Sequence, residues 1–390
     1  MEEILERLQH TFKEKYGETP TNTYFSPGRV NLIGEHIDYN GGHVFPCAIT
    51  QGTYGVVRKR EDHIVRCYSL NFPEFDPVEF NIKDIVFDKA DKWVEYVKGM
   101  VHLILGAGYE MDSGFDLVIY GNIPNASGLS SSASLELLIG VLMDDLYDLN
   151  IDRLDLVKMG QQVENEIIGV NSGIMDQFAV AMGKEDMAIY LNTENLEYEL
   201  VPANFKENVI LIMNTNKRRE LASSKYNQRR QECEQALAVL QKEMDIQALG
   251  ELTVNQFEKV KHLLTDKTLL RRARHVVTEN ERVKDTVRVL KENNLERFGE
   301  LLKESHASLK EDYDVTGIEL DTLVDAASSQ PGVLGARMTG AGMGGCAIAL
   351  VDAESVEQVI AAVQSIYHEE IGYEASFYIA QVGDGAKIIN

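Results

Sequence analysis

The chain has 390 residues, 44% hydrophobic and 26% charged, with a formal net charge of −24, a length that exceeds one hydrophobic core and predicts two domains. So acidic a composition works against nucleic acid or an anionic membrane as a partner, because phosphate groups reward clustered Lys and Arg. No run approaches the ~18 apolar residues of a membrane span, and the opening MEEILERLQHTFKEKYG lacks the basic start and apolar block of a secretory signal, so a cytoplasmic protein is expected.

In chain order, Ile4, Leu5, Leu8 and Phe12 space one apolar face of an opening helix over Glu2–Tyr16. Strand-rich sequence follows to about Phe80. Within it, residues 26–44 crowd Arg29, Glu35, His36 and Asp38 around an Asn40-Gly41-Gly42 turn. The acids and the imidazole suit a polyhydroxylated ligand, and the guanidinium suits a carboxylate or phosphate. An ion-paired loop would account for any one of these residues; their density points to a site.

A helix is predicted over Lys92–Leu105, and a strand over Phe115–Tyr120 that ends at Gly121. The small-residue run from Gly121 to Ser134 then leads into an amphipathic helix from Ser132, with Leu135, Leu138, Ile139, Leu142 and Leu146 on one face. Exposed N–H groups at such a helix start, with serine hydroxyls beside them, suit an anion such as phosphate. A serine-rich cap is the plainer alternative. The run has no Lys of the G-x-x-x-x-G-K-[ST] kind, so a Walker loop is excluded, and no G-x-G-x-x-G is present.

A helix over Arg153–Ile168 precedes an irregular stretch, Gly169–Gln177. A new composition begins at Val209–Met213, and the domain boundary is placed near residues 190–205. Long charged helices follow, and then Gly335–Leu350, with five glycines in its first eleven residues, reads as a turn needing close backbone approach, although an ordinary tight hairpin would also use them. The four cysteines, Cys47, Cys67, Cys233 and Cys346, form no C-x-x-C pair, so neither a zinc site nor a disulfide framework is indicated.

Residues Gly28–Gly42, GRVNLIGEHIDYNGG, resemble the sugar-recognition signature of galactokinases, fifteen positions in succession. The Gly121–Ser134 run and the Gly335–Leu350 run resemble the second and third motifs of the GHMP kinases, the superfamily of galactokinase, homoserine, mevalonate and phosphomevalonate kinases. Met343 and Ala336 stand where the family often has an aromatic and a serine. The resemblance implies an α+β fold of two lobes: a ribosomal-S5-domain-2-like lobe over residues 1–195 and a ferredoxin-like α/β lobe over 196–390, with the active site in the cleft.

It further implies transfer of the γ-phosphoryl group of MgATP to the 1-hydroxyl of galactose. Asp176 would be the catalytic carboxylate, taking or orienting the hydroxyl proton, with Arg29 beside it. Glu35, His36, Asp38, Gly173, Asp176 and Tyr226 would read the sugar. Trp93, Gly128, Leu129, Ser130, Ser131, Ser132, Ala133, Ser134, Arg218 and Gly342 would hold ATP. Mg²⁺ would sit on Ser132 or its neighbour and on Glu164. Glu166 competes with Glu164, since residues two apart on a helix diverge by about 200°. A monomer is the implied state. Kinases for related sugars such as N-acetylgalactosamine share the pattern, and a non-catalytic galactose and ATP sensor would keep the pockets but lose the loop or Asp176, both intact here.

Overall fold

The computed structural model describes residues 1–123, 128–217 and 222–389, with only the backbone at 222–224. Arg218 and residues 124–127 of the serine-rich loop lie outside the described residues.

In chain order the strands are β1 (Asn22–Asn31), β2 (His43–Val44), β3 (Pro46–Lys59), β4 (Ile64–Ser69), β5 (Val78–Asn81), β6 (Phe115–Gly121), β7 (Met187–Asn192), β8 (Tyr198–Pro202), β9 (Asn208–Asn214), β10 (Val333–Thr339), β11 (Cys346–Asp352), β12 (Ser376–Ala380) and β13 (Lys387–Ile388). The α-helices are α1 (Glu2–Tyr16), α2 (Val94–Gly106), α3 (Ser131–Leu146), α4 (Arg153–Gln162), α5 (Met175–Met182), α6 (Ala222–Leu240), α7 (Val254–Val260), α8 (Lys267–Lys291), α9 (Leu295–Ser308), α10 (Ile318–Ser328) and α11 (Val356–Ile371).

The first sheet runs β13-β1-β3-β6-β4-β5, the second β10-β11-β9-β12, and a small third one β2-β7-β8. All pairings are antiparallel except β4 with β6. The α1 residues Leu8 and Phe12 bury against Phe25, Tyr54, Val56, Tyr68 and Val118 on one face of the first sheet. The apolar stripe of α3, including Leu135, Leu138, Ile139 and Leu142, enters the main core on the other. Burial of that stripe fixes where α3 begins, and therefore where the serine-rich loop stands.

The passage between lobes differs from a single cut. β8 still pairs with β7, the second sheet starts at β9, and after β12 the chain comes back to lay β13 along β1. Gly383 N–H also bonds Ala48 O at 2.9 Å. The helix predicted to Ile168 is α-helical to Gln162 and then widens into a π turn over Val163–Ile168, closed by Gly169 at φ 85°. A π turn adds a residue per turn without changing composition, so periodicity does not reveal it.

Between β1 and Asp38 the chain leaves the sheet while fully buried; Phe45 pairs with Leu32 N–H and Ile33 O from the first lobe, and the second lobe supplies much of the rest. Arg337 of β10, 0% exposed, donates through Nη1 to the carbonyls of Asn31 and Leu32 at 2.8 and 3.0 Å, and its Nη2 lies 3.5 Å from Glu35. Glu279 of α8 accepts Gly34 N–H at 2.9 Å and Arg282 at 2.7 Å. Burial disfavours the Glu279 charge, but Arg282 and Arg337 outweigh it and bring the carboxyl down to about 2. His275 Nε2 donates to Glu35 O at 3.0 Å, while Gly340 N–H and the Thr339 hydroxyl donate to Glu35 Oε1 at 2.7 and 3.0 Å.

Arg337→Met removes the cation that lies 3.5 Å from buried Glu35, leaves the Leu32 carbonyl without its guanidinium donor and leaves the Asn31 carbonyl to the Thr339 hydroxyl alone. We expect a loss of about 3–5 kcal/mol, read as a lower denaturation midpoint with the secondary-structure spectrum retained; an unchanged midpoint would contradict this account of the seam.

Candidate functional site

Where the 31–38 segment, the serine-rich loop, the α4–α5 connection and α6 converge, they wall a cavity of about 340 Å³. Arg29, Glu35, His36, Asp38, Gly128, Ser130, Ser131, Ser132, Glu164, Gly173, Asp176 and Tyr226 all line it. Gly340 and Ala341 complete the lining, so residues from five separate stretches of sequence meet at one place.

Arg29 grips Asp176 bidentately, Nε to Oδ1 and Nη2 to Oδ2 at 2.8 Å each, and its Nη1 donates to Gly128 O at 2.7 Å. Burial opposes the Arg29 charge, yet the carboxylates of Asp176, Glu35 and Asp38 more than offset it, so its pKa lies above the ordinary value and it stays cationic. Ser130 adds a short hydrogen bond to Asp176 Oδ2. Ser130 stands at the N-cap of α3 with φ 63° and makes no capping bond, because its hydroxyl is turned to the carboxylate. The N–H groups of the first turn of α3 are left for another acceptor.

The second polar pair is Ser132 and Glu164, with the serine Oγ 2.6 Å from Oε1. Ser172 donates to the other oxygen. Burial raises the Glu164 pKa against the pull of these donors. The π turn decides between the two acids: Glu164 is buried and faces the cavity, while Glu166 is exposed and pairs with Gln162. Among the described residues no three His, Cys, Asp or Glu gather as a preformed metal centre. One buried carboxylate plus one hydroxyl is nevertheless a hard oxygen set of the size that Mg²⁺ uses when waters and phosphates supply the rest.

On the opposite wall, a Cβ on Gly173 would lie 1.8 Å from Asp38 Oδ2, so only glycine lets the two segments close. Asp38 is half-buried with Asp176 and Glu35 nearby, and burial first, then these two charges, push its carboxyl up to about 7. Tyr226 packs its ring 5.5 Å from His36 and 5.3 Å from Tyr39, and burial, with Asp38 and Asp176, raises its phenol well above the ordinary range. Both nitrogens of His36 are engaged, Nδ1 with Tyr39 at 2.7 Å and Nε2 with Ala341 O at 3.1 Å.

Ser131 and Ser132 also wall a second cavity of about 200 Å³, with Trp93, Tyr96, Phe72 and Ile119. Leu129, Ala133 and Ser134 lie behind the first cavity's wall. Leu129 contributes its carbonyl, which takes Arg29 N–H at 3.1 Å, and the buried Ser134 hydroxyl lies 2.7 Å from Ser26 O and 2.9 Å from Thr53 Oγ1. Gly342, at φ 74°, sits against Val315 O rather than in the cavity. Sequence reasoning missed Ser172, Arg337, Glu279 and Tyr313: Ser172 and Arg337 lie inside stretches singled out for other residues, Glu279 and Tyr313 lie in charged helical sequence, and no local spacing marks the role of any of them.

Three family models match in order: the galactokinase galactose-binding signature over residues 10–59, the GHMP kinase N-terminal domain over 95–184, and the GHMP kinase C-terminal domain over 286–369. The galactokinase of Ligilactobacillus salivarius is 57% identical over 98% of this chain and 99% of its own, and that of Enterococcus faecalis is 57% identical over 99% of both. Among solved structures, Lactococcus lactis galactokinase complexed with galactose superposes with a TM-score of 0.94 at 53% identity, covering 98% of this chain and 99% of that one. Mevalonate kinase of Methanococcus jannaschii, at 19% identity and a TM-score of 0.66, covers 93% of this chain and 99% of its own and shares the fold.

Asp38 binds its proton more tightly folded than unfolded, so its contribution to stability is present below about pH 4 and is lost as pH rises toward 7. Asp38→Asn removes that loss. The variant should melt higher than the parent at pH 8, with a smaller advantage at pH 5; an equal advantage at both would show that Asp38 does not titrate in this window.

Proposed function

The chain belongs to the galactokinases of the GHMP kinase superfamily, and on that footing we propose how its cavity carries out the reaction. The enzyme transfers the γ-phosphoryl group of ATP to the 1-hydroxyl of galactose, giving galactose 1-phosphate and ADP. The observation that carries the reading of the residues is the Arg29–Asp176 fork, which opens on the same cavity as the first turn of α3.

Asp176 accepts two bonds from Arg29 and one from Ser130, and a carboxylate has about four acceptor sites. The remaining site takes the hydrogen of the sugar 1-hydroxyl, aims that oxygen at the phosphoryl group, and is the acceptor for its proton. Arg29, held cationic, has donors left for charge on the transferring oxygens. The N–H groups opening α3 and the hydroxyls of Ser131 and Ser132 receive the phosphate chain. Gly128 and Leu129 carry the backbone of that cradle, Ala133 and Ser134 its buried support, and Gly342 the shape of the loop behind it. Trp93 and Tyr96 wall the second cavity, which lies across Ser131 and Ser132 from the first and accepts the adenine.

ATP would enter with Mg²⁺ on Ser132 and Glu164. Glu35, Asp38, Asp176 and Glu164 surround the cavity, so a bare triphosphate meets like charge there. The ion, when bound, neutralises phosphate oxygens and orients them for in-line transfer. Glu35, Asp38, Tyr226 and the backbone at Gly173 read sugar hydroxyls, and His36 supplies wall. Sites that hydrogen-bond a hydroxyl discriminate strongly against an epimer that leaves the partner unpaired. No described helix is long and apolar enough to cross a membrane, and a cytoplasmic monomer is the state this reading takes.

Asp176→Asn should lower kcat by about 10²–10⁴-fold while galactose still binds. ADP release measured with galactose, glucose, N-acetylgalactosamine, arabinose and mevalonate checks both enzyme and substrate: turnover on galactose is expected, preference for another sugar would move the specificity, and parental turnover in the variant would remove Asp176 from the chemistry.

A further inference from the structure

Loop residue His36 is held in the left-handed region at φ 63°, a conformation that a non-glycine residue keeps only when its surroundings over-determine it. What surrounds it is a line of hydrogen bonds that crosses the lobe seam. His36 Nε2 lies 3.1 Å from Ala341 O, and Nδ1 lies 2.7 Å from the Tyr39 hydroxyl. The Tyr39 hydroxyl is 2.8 Å from that of Tyr313, which in turn is 3.1 Å from Cys233 Sγ.

The directions of these bonds follow from chemistry. A carbonyl oxygen only accepts, so Nε2 carries a hydrogen. Burial, with His275 alongside, brings the imidazole down to about 3, so at neutral pH the ring is neutral and Nδ1 is an acceptor. Tyr39 therefore donates to Nδ1, which obliges Tyr313 to donate to Tyr39 and leaves the Cys233 thiol to donate to Tyr313. Tyr313 is itself fixed. It closes the π turn Leu309–Tyr313 before Asp314 at φ 56°, its carbonyl takes Arg229 Nε at 2.8 Å, and its ring packs 4.9 Å from His36 and 4.5 Å from His275. Arg229 lies one turn beyond Tyr226 on α6, so the same contact anchors the helix that brings Tyr226 over His36 and Tyr39.

We infer that Tyr313, acting through Tyr39, fixes His36 as the Nε2–H tautomer, so that His36 spends both nitrogens inside the protein and Tyr39 and Tyr313 are positioning residues for Tyr226 in the sugar subsite. The inference rests on the reading of this cavity as the galactose site. It makes His36 a link between the sugar segment and the glycine-rich loop of the second lobe, and it gives the sugar no histidine hydrogen bond.

Two-bond ¹H–¹⁵N correlation of the histidine rings tests it, with His36 identified among nine histidines by the signals lost in His36→Gln. The expected spectrum at pH 7 shows a neutral Nε2–H ring whose pattern stays the same in saturating galactose, and whose Nδ1 resonance moves in Tyr39→Phe. In Tyr313→Phe the galactose KM should rise about fivefold, with kcat and the ATP KM within about twofold of the parent, the size of one lost positioning hydrogen bond. A proton on Nδ1, a switch of tautomer on adding galactose, an unmoved Nδ1 in Tyr39→Phe, or an unchanged galactose KM in Tyr313→Phe would overturn it. Absence of turnover on galactose would overturn the functional reading instead, and the spectrum of the free protein would be unaffected.

Discussion

Between Asn31 and Ile37 the chain is buried on all sides but has left β1, and buried amides, carbonyls and carboxylates need partners or cost folding free energy. Phe45 and the Asn40–Gly42 turn of the first lobe pair Leu32 N–H and the carbonyls of Ile33 and Ile37, while Arg337, Glu279, His275 and Gly340 of the second lobe pair the carbonyls of Asn31, Leu32 and Glu35, the Gly34 N–H and the Glu35 carboxylate. Everything that gives the cavity its shape follows from this. The sugar segment belongs to the first lobe by connectivity and to both by hydrogen bonding, so neither lobe alone would present Glu35, His36 and Asp38 in their observed positions. The returning strand β13 ties the two lobes from the other side.

A protein with a net charge of −24 that handles an anionic substrate faces an electrostatic conflict, and the site manages it locally. Arg29 is buried where three carboxylates hold its charge, and α3 opens toward the same cavity with its first N–H groups unpaired by a side-chain cap. Ser130 illustrates the exchange: by giving up the capping bond it braces Asp176 and leaves the helix terminus for phosphate. Asp38, pushed toward neutrality by burial and by its acidic neighbours, shows what this concentration of charge costs the free protein, a trade common where function is favoured over stability.

Local elements with strong periodicity were legible in the sequence. The opening helix spans Glu2–Tyr16 as its apolar spacing requires, the strand ending at Gly121 is β6, and the helix after the serine-rich run is α3. The cluster Arg29, Glu35, His36, Asp38 does face one cavity with Asp176 and Tyr226, because its density departs so far from ordinary turn chemistry. What the sequence did not disclose depends on distant partners. Glu164 is expected at the metal only from the resemblance, because helical phase leaves Glu166 competing with it until the π turn sets their directions. Ser134, expected from the resemblance among the residues that hold ATP, spends its hydroxyl on Ser26 and Thr53 instead. Arg337, Glu279 and Tyr313 gain their roles from contacts across more than two hundred residues, which no spacing rule encodes.

The most direct test is a crystal structure of the chain with galactose and a non-hydrolysable MgATP analogue. The account predicts the 1-hydroxyl within about 3 Å of Asp176, in line with a γ-phosphoryl group reached by Arg29 and the start of α3, the metal on Ser132 and Glu164, and no sugar hydroxyl bonded to His36. A 1-hydroxyl turned away from Asp176, or phosphates bound away from α3, would contradict it.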